Sequence, residues 1–219
     1  MLADYLPAYR IRLRTERLEL RLPDLDDLAA LAEQAASGVH GPDFQPFKNA
    51  WTEEEPLARG RTAILWNLRL LSSITPELWC LPFVAVHEGR VIGKQDLAGK
   101  QYAITREATT SSWLGQAHHG HGLGTEMRAA VLAFLFEGLG ADYALSDCLE
   151  GNGPSIGVSR KLGYRPDGVE LQIYKGKRVT SLRWRLARED WEAHRTHEVA
   201  IEGLDADARA MLGLGASQA

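Results

Sequence analysis

The sequence is poor in cysteine: only Cys80 and Cys148, far apart and without metal-type spacing. That count argues against a disulfide framework and reads as two reduced thiols of a cytoplasmic protein. Long apolar runs are missing too. The longest, Ala129 to Phe136, falls far short of the roughly 18 residues a membrane span needs. Met1 to Arg10 mixes polar and aromatic residues and lacks the apolar core of a leader, so a soluble chain is expected. No block of like charge occurs, and 25 basic against 29 acidic residues leave a net charge of −4. A partner that is nucleic acid held by bulk positive charge is disfavoured, and any anionic ligand must be gripped by a local feature. What is present is ordinary for a globular protein: 219 residues, 45% hydrophobic and 25% charged, enough for a single domain with a sizeable core.

Leu18 to Leu22 alternates apolar and polar side chains, which predicts a half-buried strand. Leu25, Leu28, Leu31 and Ala32 have helical spacing behind a cluster of aspartates suited to a helix start. Gly38 to Trp51 reads as a long loop. Thr52 to Glu55 reads as a capping box for a helix with Leu57, Ile64, Leu65, Leu68 and Leu71 on one side. Leu81–Val86 and Arg90–Leu97 form a hairpin across Glu88-Gly89. Thr109 to Leu114 is a strand, Thr125 to Leu139 a helix apolar most of the way round, and Tyr143 to Cys148 a further strand. A helix follows from Pro154 to Leu162, then a hairpin of Val169–Tyr174 and Val179–Leu186, then a helical turn or two at Asp190–Arg195. Gly213 to Ala219 reads as a loose tail. The fold class is α+β, with no internal repeat and no second-domain linker.

The most informative segment is Gln116-Ala117-His118-His119-Gly120-His121-Gly122-Leu123-Gly124-Thr125. It follows a strand and opens a long helix. Glycines permit positive φ and close backbone approach, and the first helical turn leaves N–H groups unpaired beside a partial positive charge. Together these form a cradle for phosphate. A P-loop would need lysine after its glycines, and none stands there. A dinucleotide fingerprint needs G-x-G-x-x-G, whereas Gly120, Gly122 and Gly124 give G-x-G-x-G.

The segment resembles the pyrophosphate loop of the GNAT N-acyltransferase superfamily. Thr15-Glu16-Arg17-Leu18-Glu19-Leu20-Arg21 is similar to the first strand of its RimJ/RimL-like branch. Gly124-Thr125-Glu126-Met127-Arg128-Ala129-Ala130 is similar to that branch's loop-to-helix continuation. Asn152-Gly153-Pro154-Ser155 matches its Asn-x-x-Ser, and Val158 to Tyr164 the helix that follows. The likeness runs from about Arg14 to Arg188, a core of about 14–188 within a single domain of residues 1–219, with 189–219 as a short extension. It implies a mixed, mostly antiparallel sheet flanked by helices in three layers. Two positions depart from the pattern: His119 replaces the usual Arg or Gln, and Ser159 stands where many members carry a tyrosine that protonates the departing thiolate.

The resemblance implies transfer of an acyl group, acetyl or a larger one such as succinyl, from acyl-coenzyme A to a primary amine of a peptide N-terminus or small molecule. It places the main chain of Trp113 and Leu114 on the pantetheine arm. The amides of His119, Gly120, His121, Gly122, Leu123, Gly124 and Thr125 fall on the pyrophosphate. Asn152 falls on the arm again, and Ser155 near the sulfur as hydrogen-bond donor or acid. No metal is implied, and the loop histidines read as solvated. A homodimer is compatible with the reading. A general base is not visible; Asp96, Asp147 and Glu150 are candidates, and a water relay is another. Trp51, Trp66, Trp79, Phe44 and Phe47 are candidates to line the acceptor pocket, and otherwise pack the core. The competing reading is a coenzyme A-binding regulatory module without turnover, motivated by the missing tyrosine and the absent strand carboxylate.

Overall fold

The structure, a computed structural model, describes residues 1–42 and 44–215. Its elements run α1 (Leu2–Tyr5), β1 (Arg12–Arg14), β2 (Leu18–Arg21), α2 (Leu25–Ser37), α3 (Pro56–Ser72), β3 (Leu78–His87), β4 (Arg90–Lys100), α4 (Tyr102–Thr105) and β5 (Glu107–Leu114). They continue α5 (Leu123–Ala133), β6 (Tyr143–Leu149), α6 (Gly153–Lys161), β7 (Arg165–Tyr174), β8 (Lys177–Ala187), α7 (Arg188–His194), β9 (Ala200–Glu202) and α8 (Ala206–Met211). Among the described residues one sheet holds all nine strands in the order β7-β8-β6-β5-β4-β3-β2-β1-β9. The β5–β6 pair is parallel and the others are antiparallel.

Alternation along the strands sorts the two faces. On one face Leu31 of α2 packs on Val84, Val86 and Val91. On the other, α5 is buried almost throughout, and Phe134 at its end meets Phe83 edge-on. The near-uniform apolar character of α5 follows from this central position. A π-helical turn, Phe134–Gly138, prolongs it.

Several expectations change. The helix after the long loop starts at Pro56 with Glu55 as N-cap and no capping bond, so Thr52 to Glu55 is not a capping box. Proline at the first helical position presets φ, and Thr52 is instead buried in a 3₁₀ turn, Trp51–Glu53. Leu57, Leu65 and Leu68 face solvent; α3 buries Gly60, Ala63 and Asn67. Small residues prevail there because α2 lies close: a Cβ on Gly60 would sit 3.0 Å from the Ala32 carbonyl oxygen. Trp79 belongs to the core and donates its ring N–H to Leu212 O at 3.0 Å. Residues 200–202 join the sheet beside β1. Of the expected loose tail, Gly213 packs against Pro76, and residues 216–219 lie outside the described residues.

Candidate functional site

The parallel ladder between β5 and β6 runs from Glu107↔Tyr143 to Thr110↔Ser146 and stops. Beyond it β5 continues to Leu114 beside β4, and β6 continues to Leu149 beside β8. The two strands part, and a cavity of about 850 Å³ fills the gap. Gly115 N–H donates to Ile92 O at 2.9 Å. By the alternation of an antiparallel ladder, Trp113 also turns its main chain toward β4, while Ser112 and Leu114 turn theirs toward the gap. Trp113 thus keeps its main chain in the β4 ladder, the main chain open to the gap is that of Ser112 and Leu114, and the Trp113 indole lines the cavity.

The glycine segment closes one end of the gap. His119 N–H donates to Gln116 O at 3.2 Å, and Thr125 N–H to Gly122 O at 3.0 Å. Between them the N–H groups of Gly120, His121, Gly122, Leu123 and Gly124 have no protein partner among the described residues. Gly120 and Gly122 take φ of +82° and +80°, which turns successive amides outward. No protein atom lies within 4 Å of where a Cβ on Gly120 would stand. Five unpaired donors at the start of α5 fit a diphosphate. The His119 ring bonds Leu114 O at 3.1 Å and braces the turn.

An acid in the first turn of α5 would repel such an anion, and Glu126 stands there, buried. It is neutralised. Arg17 Nε donates to Glu126 Oε2 at 2.7 Å, and Thr15 Oγ1 to Oε1 at 2.6 Å. Burial pulls the Glu126 carboxyl upward, but these bonds together hold it below its ordinary value. Arg17 also donates to His121 O at 3.1 Å, so the N-terminal motif and the helix motif are one lock under the glycine turn.

On the α2–α3 face of the gap, Lys94 Nζ bonds Asn67 Oδ1 at 2.9 Å. It also lies 2.8 Å from Asp96 Oδ1, close for an ion pair though off-line for a hydrogen bond. Ser111 Oγ donates to Asp96 Oδ2 at 3.2 Å. Asp147 also reaches the cavity, paired with Lys48 at 2.6 Å, whereas Glu150 is exposed and outside it. Phe44, Phe47, Trp51 and Trp66 line this side, with Trp51 and Trp113 ring centroids 5.6 Å apart. The aromatic loop is latched to the β7–β8 hairpin: Glu53 accepts from Lys175 and Tyr174. The Lys175 bond first, then that of Tyr174, brings the Glu53 carboxyl down to about 2.

On the α5–α6 face, Asn152 is the N-cap of α6 and its Oδ1 accepts from Ser155 N–H at 3.1 Å. Asn152, Ser155 and Cys148 all line the cavity. Burial pushes the Cys148 thiol up, so it stays protonated. Ser159 is fully buried and accepts from Arg128 Nη1 at 3.2 Å. Arg128 Nη2 reaches Ser112 Oγ at 3.3 Å, Nε has no partner, and the side chain is 5% exposed. Arg128 was legible in the sequence only as part of a helix motif. Its signal was a lone cation near the start of a helix that is otherwise apolar most of the way round.

A sequence model described as "Acetyltransferase (GNAT) domain" matches residues 17–165. The chain belongs to the GNAT acetyltransferase family. The match spans more than half the chain and takes in the sheet gap, the glycine turn and α6. Solved GNAT structures share the fold at low identity. Mycobacterium smegmatis RimJ in complex with CoA-disulfide is 18% identical over 88% of this chain and 98% of its own, with a TM-score of 0.67. RimL, a ribosomal L7/L12 alpha-N-protein acetyltransferase in complex with coenzyme A, is 15% identical over 78% and 94%, TM-score 0.63. A GCN5-related N-acetyltransferase from Brucella melitensis is 20% identical over 84% and 81%, TM-score 0.67.

Proposed function

We propose that this GNAT acyltransferase carries an acetyl group, or a larger acyl such as succinyl, from coenzyme A to a primary amine, with a peptide N-terminus as the first acceptor class to test. One observation carries the donor assignment: five consecutive unpaired amides, Gly120 to Gly124, sit on a turn whose Gly120, Gly122, Leu123 and Gly124 line the gap where β5 and β6 part. The amides hold the diphosphate. The pantetheine arm lies along the free edge of β5, on the main chain of Ser112 and Leu114, with the Asn152 amide closing on it from α6. The RimL neighbour, named a ribosomal L7/L12 alpha-N-protein acetyltransferase, supports a peptide amine as acceptor.

The acceptor enters from the aromatic side, past Trp51 and Trp66. Its amine must be neutral to attack, and Asp96 and Asp147 are the carboxylates lining the cavity on that side to draw off the proton through solvent. The nitrogen adds to the thioester carbonyl, whose oxygen becomes an oxyanion held by a main-chain N–H of β5. Collapse breaks the C–S bond and leaves the amide and coenzyme A. Ser155 donates a hydrogen bond toward the sulfur.

The test is calorimetric titration of the wild type with coenzyme A, acetyl-CoA and succinyl-CoA, with mass spectrometry of Ala- and Ser-starting peptides as acceptors. Binding and an acyl mass increment are expected. Gly122→Val, which forces a branched side chain into a φ of +80°, is expected to weaken coenzyme A at least 100-fold, about 2.7 kcal/mol. Unchanged affinity in that variant contradicts the cradle.

A further inference from the structure

Arg128 has no counter-ion among the described residues. Its guanidinium is buried among Ser112, Ser159, Tyr164 and Cys148, with no carboxylate partner among the described residues. Burial pushes the Tyr164 hydroxyl and the Cys148 thiol up, so both neighbours stay uncharged. Burial also pushes Arg128 itself down, though a guanidinium remains cationic in any case. A buried cation held only by neutral groups is a poor way to fill a core, because an apolar side chain of similar volume avoids the desolvation. The arrangement makes sense when negative charge arrives beside it.

Position decides which charge. Arg128 lies more than a turn along α5 from the free amides, roughly 6–8 Å beyond them at 1.5 Å per residue. It reaches Ser112, two residues past the last β5–β6 pair, Thr110↔Ser146. That is the apex of the gap, where a tail anchored at the glycine turn ends. It is also the α5–α6 face, opposite the aromatic side from which the amine enters.

We infer that Arg128 is the residue that receives the negative charge of the departing sulfur: its guanidinium, set by Ser112 and Ser159, donates to the thiolate of coenzyme A. This rests on the acyl-transfer reading above. When the C–S bond breaks, its electron pair passes to sulfur, which becomes the thiolate. Arg128 keeps its proton and supplies N–H bonds and charge. The proton lost by the amine returns to sulfur later, through solvent. Ser159, too short to reach the ligand in place of a longer phenol, takes a hydrogen bond from Arg128 instead.

The experiment compares wild type with Arg128→Met, Arg128→Gln and Arg128→Lys. The thiol of bound coenzyme A is titrated by the ultraviolet absorbance of its thiolate, against the same proteins saturated with desulfo-CoA to cancel the protein thiols. A free thiol titrates near about 8.5. In the wild type the bound thiol is expected at least one unit lower, a tenfold gain in thiolate. In Arg128→Met and Arg128→Gln it returns to the free value or above, and Arg128→Lys restores part of the shift. Acetyl transfer by Met and Gln variants that still bind desulfo-CoA normally is expected to fall about 100-fold, the usual loss for one electrostatic donor. A bound thiol that titrates alike in all four proteins overturns the inference, as does full turnover in Arg128→Met. Failure of the acyl-transfer reading looks different: the wild type then neither binds coenzyme A nor transfers an acyl group.

Discussion

Two buried cations line one cavity from opposite faces of the sheet, and they are treated differently. Lys94, on the α2–α3 face, is 2% exposed, bonded to Asn67 and beside Asp96. Arg128, on the α5–α6 face, is equally enclosed and meets only hydroxyls. The first is a compensated pair whose charge is spent inside the protein. The second is an open charge. Compensation thus separates a cation that shapes a wall from one that awaits a ligand, and it does so where both side chains are almost wholly buried in the lining of one cavity. The glycine turn follows the same logic. Glu126 is cancelled by Arg17, and five amides are left unsatisfied.

Replacing each cation by methionine should give opposite results. Lys94→Met leaves Asp96 buried without its partner. Loss of one member of a buried pair costs about 3 kcal/mol at the low end, a fall in Tm of roughly 6–12 °C for a chain of this size. Double replacement, Lys94→Met with Asp96→Leu, should recover most of it. Arg128→Met leaves no orphan charge, so its Tm should stay level or rise while turnover falls about 100-fold, near 2.7 kcal/mol. Thermal melts of the three proteins check both statements, and a large loss of stability in Arg128→Met breaks the comparison.

A smaller effect separates the two hydroxyls near the leaving group. Ser155→Ala should lower turnover about tenfold, or 1.4 kcal/mol, with less change in coenzyme A affinity. Equal turnover makes Ser155 only a residue of the α6 cap. The smallest effect concerns the latch. Glu53 titrates below its unfolded value, so its contribution is full above about 4.5 and fades as the pH falls toward about 2. Trp fluorescence followed through acid should show the aromatic loop loosening in that window. In Glu53→Gln the loop should already be loose at neutral pH. A wild-type transition centred above pH 5 contradicts the latch.

Much of the fold was legible. The β3–β4 hairpin, α2 behind its aspartates, and the strand–turn–helix around the glycines all carry strong local signals. The terminal strands do not. Arg12–Arg14 and Ala200–Glu202 are three residues each, too short for a period, and they pair across nearly the whole chain. The inner face of α3 was misread because leucines outnumber the small residues that packing against α2 requires. The glycine cradle was legible because backbone conformation alone makes it. Which main chain faces the gap depends on register, and only the ladder shows that Ser112 and Leu114, not Trp113, turn theirs toward it. The lock between Thr15, Arg17 and Glu126 was visible as two motifs but not as one contact. Arg128 was hidden for a similar reason: only the packed structure shows that no acid stands beside it.

The central claim is that the unsatisfied amides from Gly120 to Gly124 hold the diphosphate of coenzyme A. Backbone amide resonances followed during a coenzyme A titration test it most directly. The account predicts that the largest shifts fall on those five residues, with Ser112 and Leu114 next. Saturable binding that leaves the five amides unmoved would contradict it.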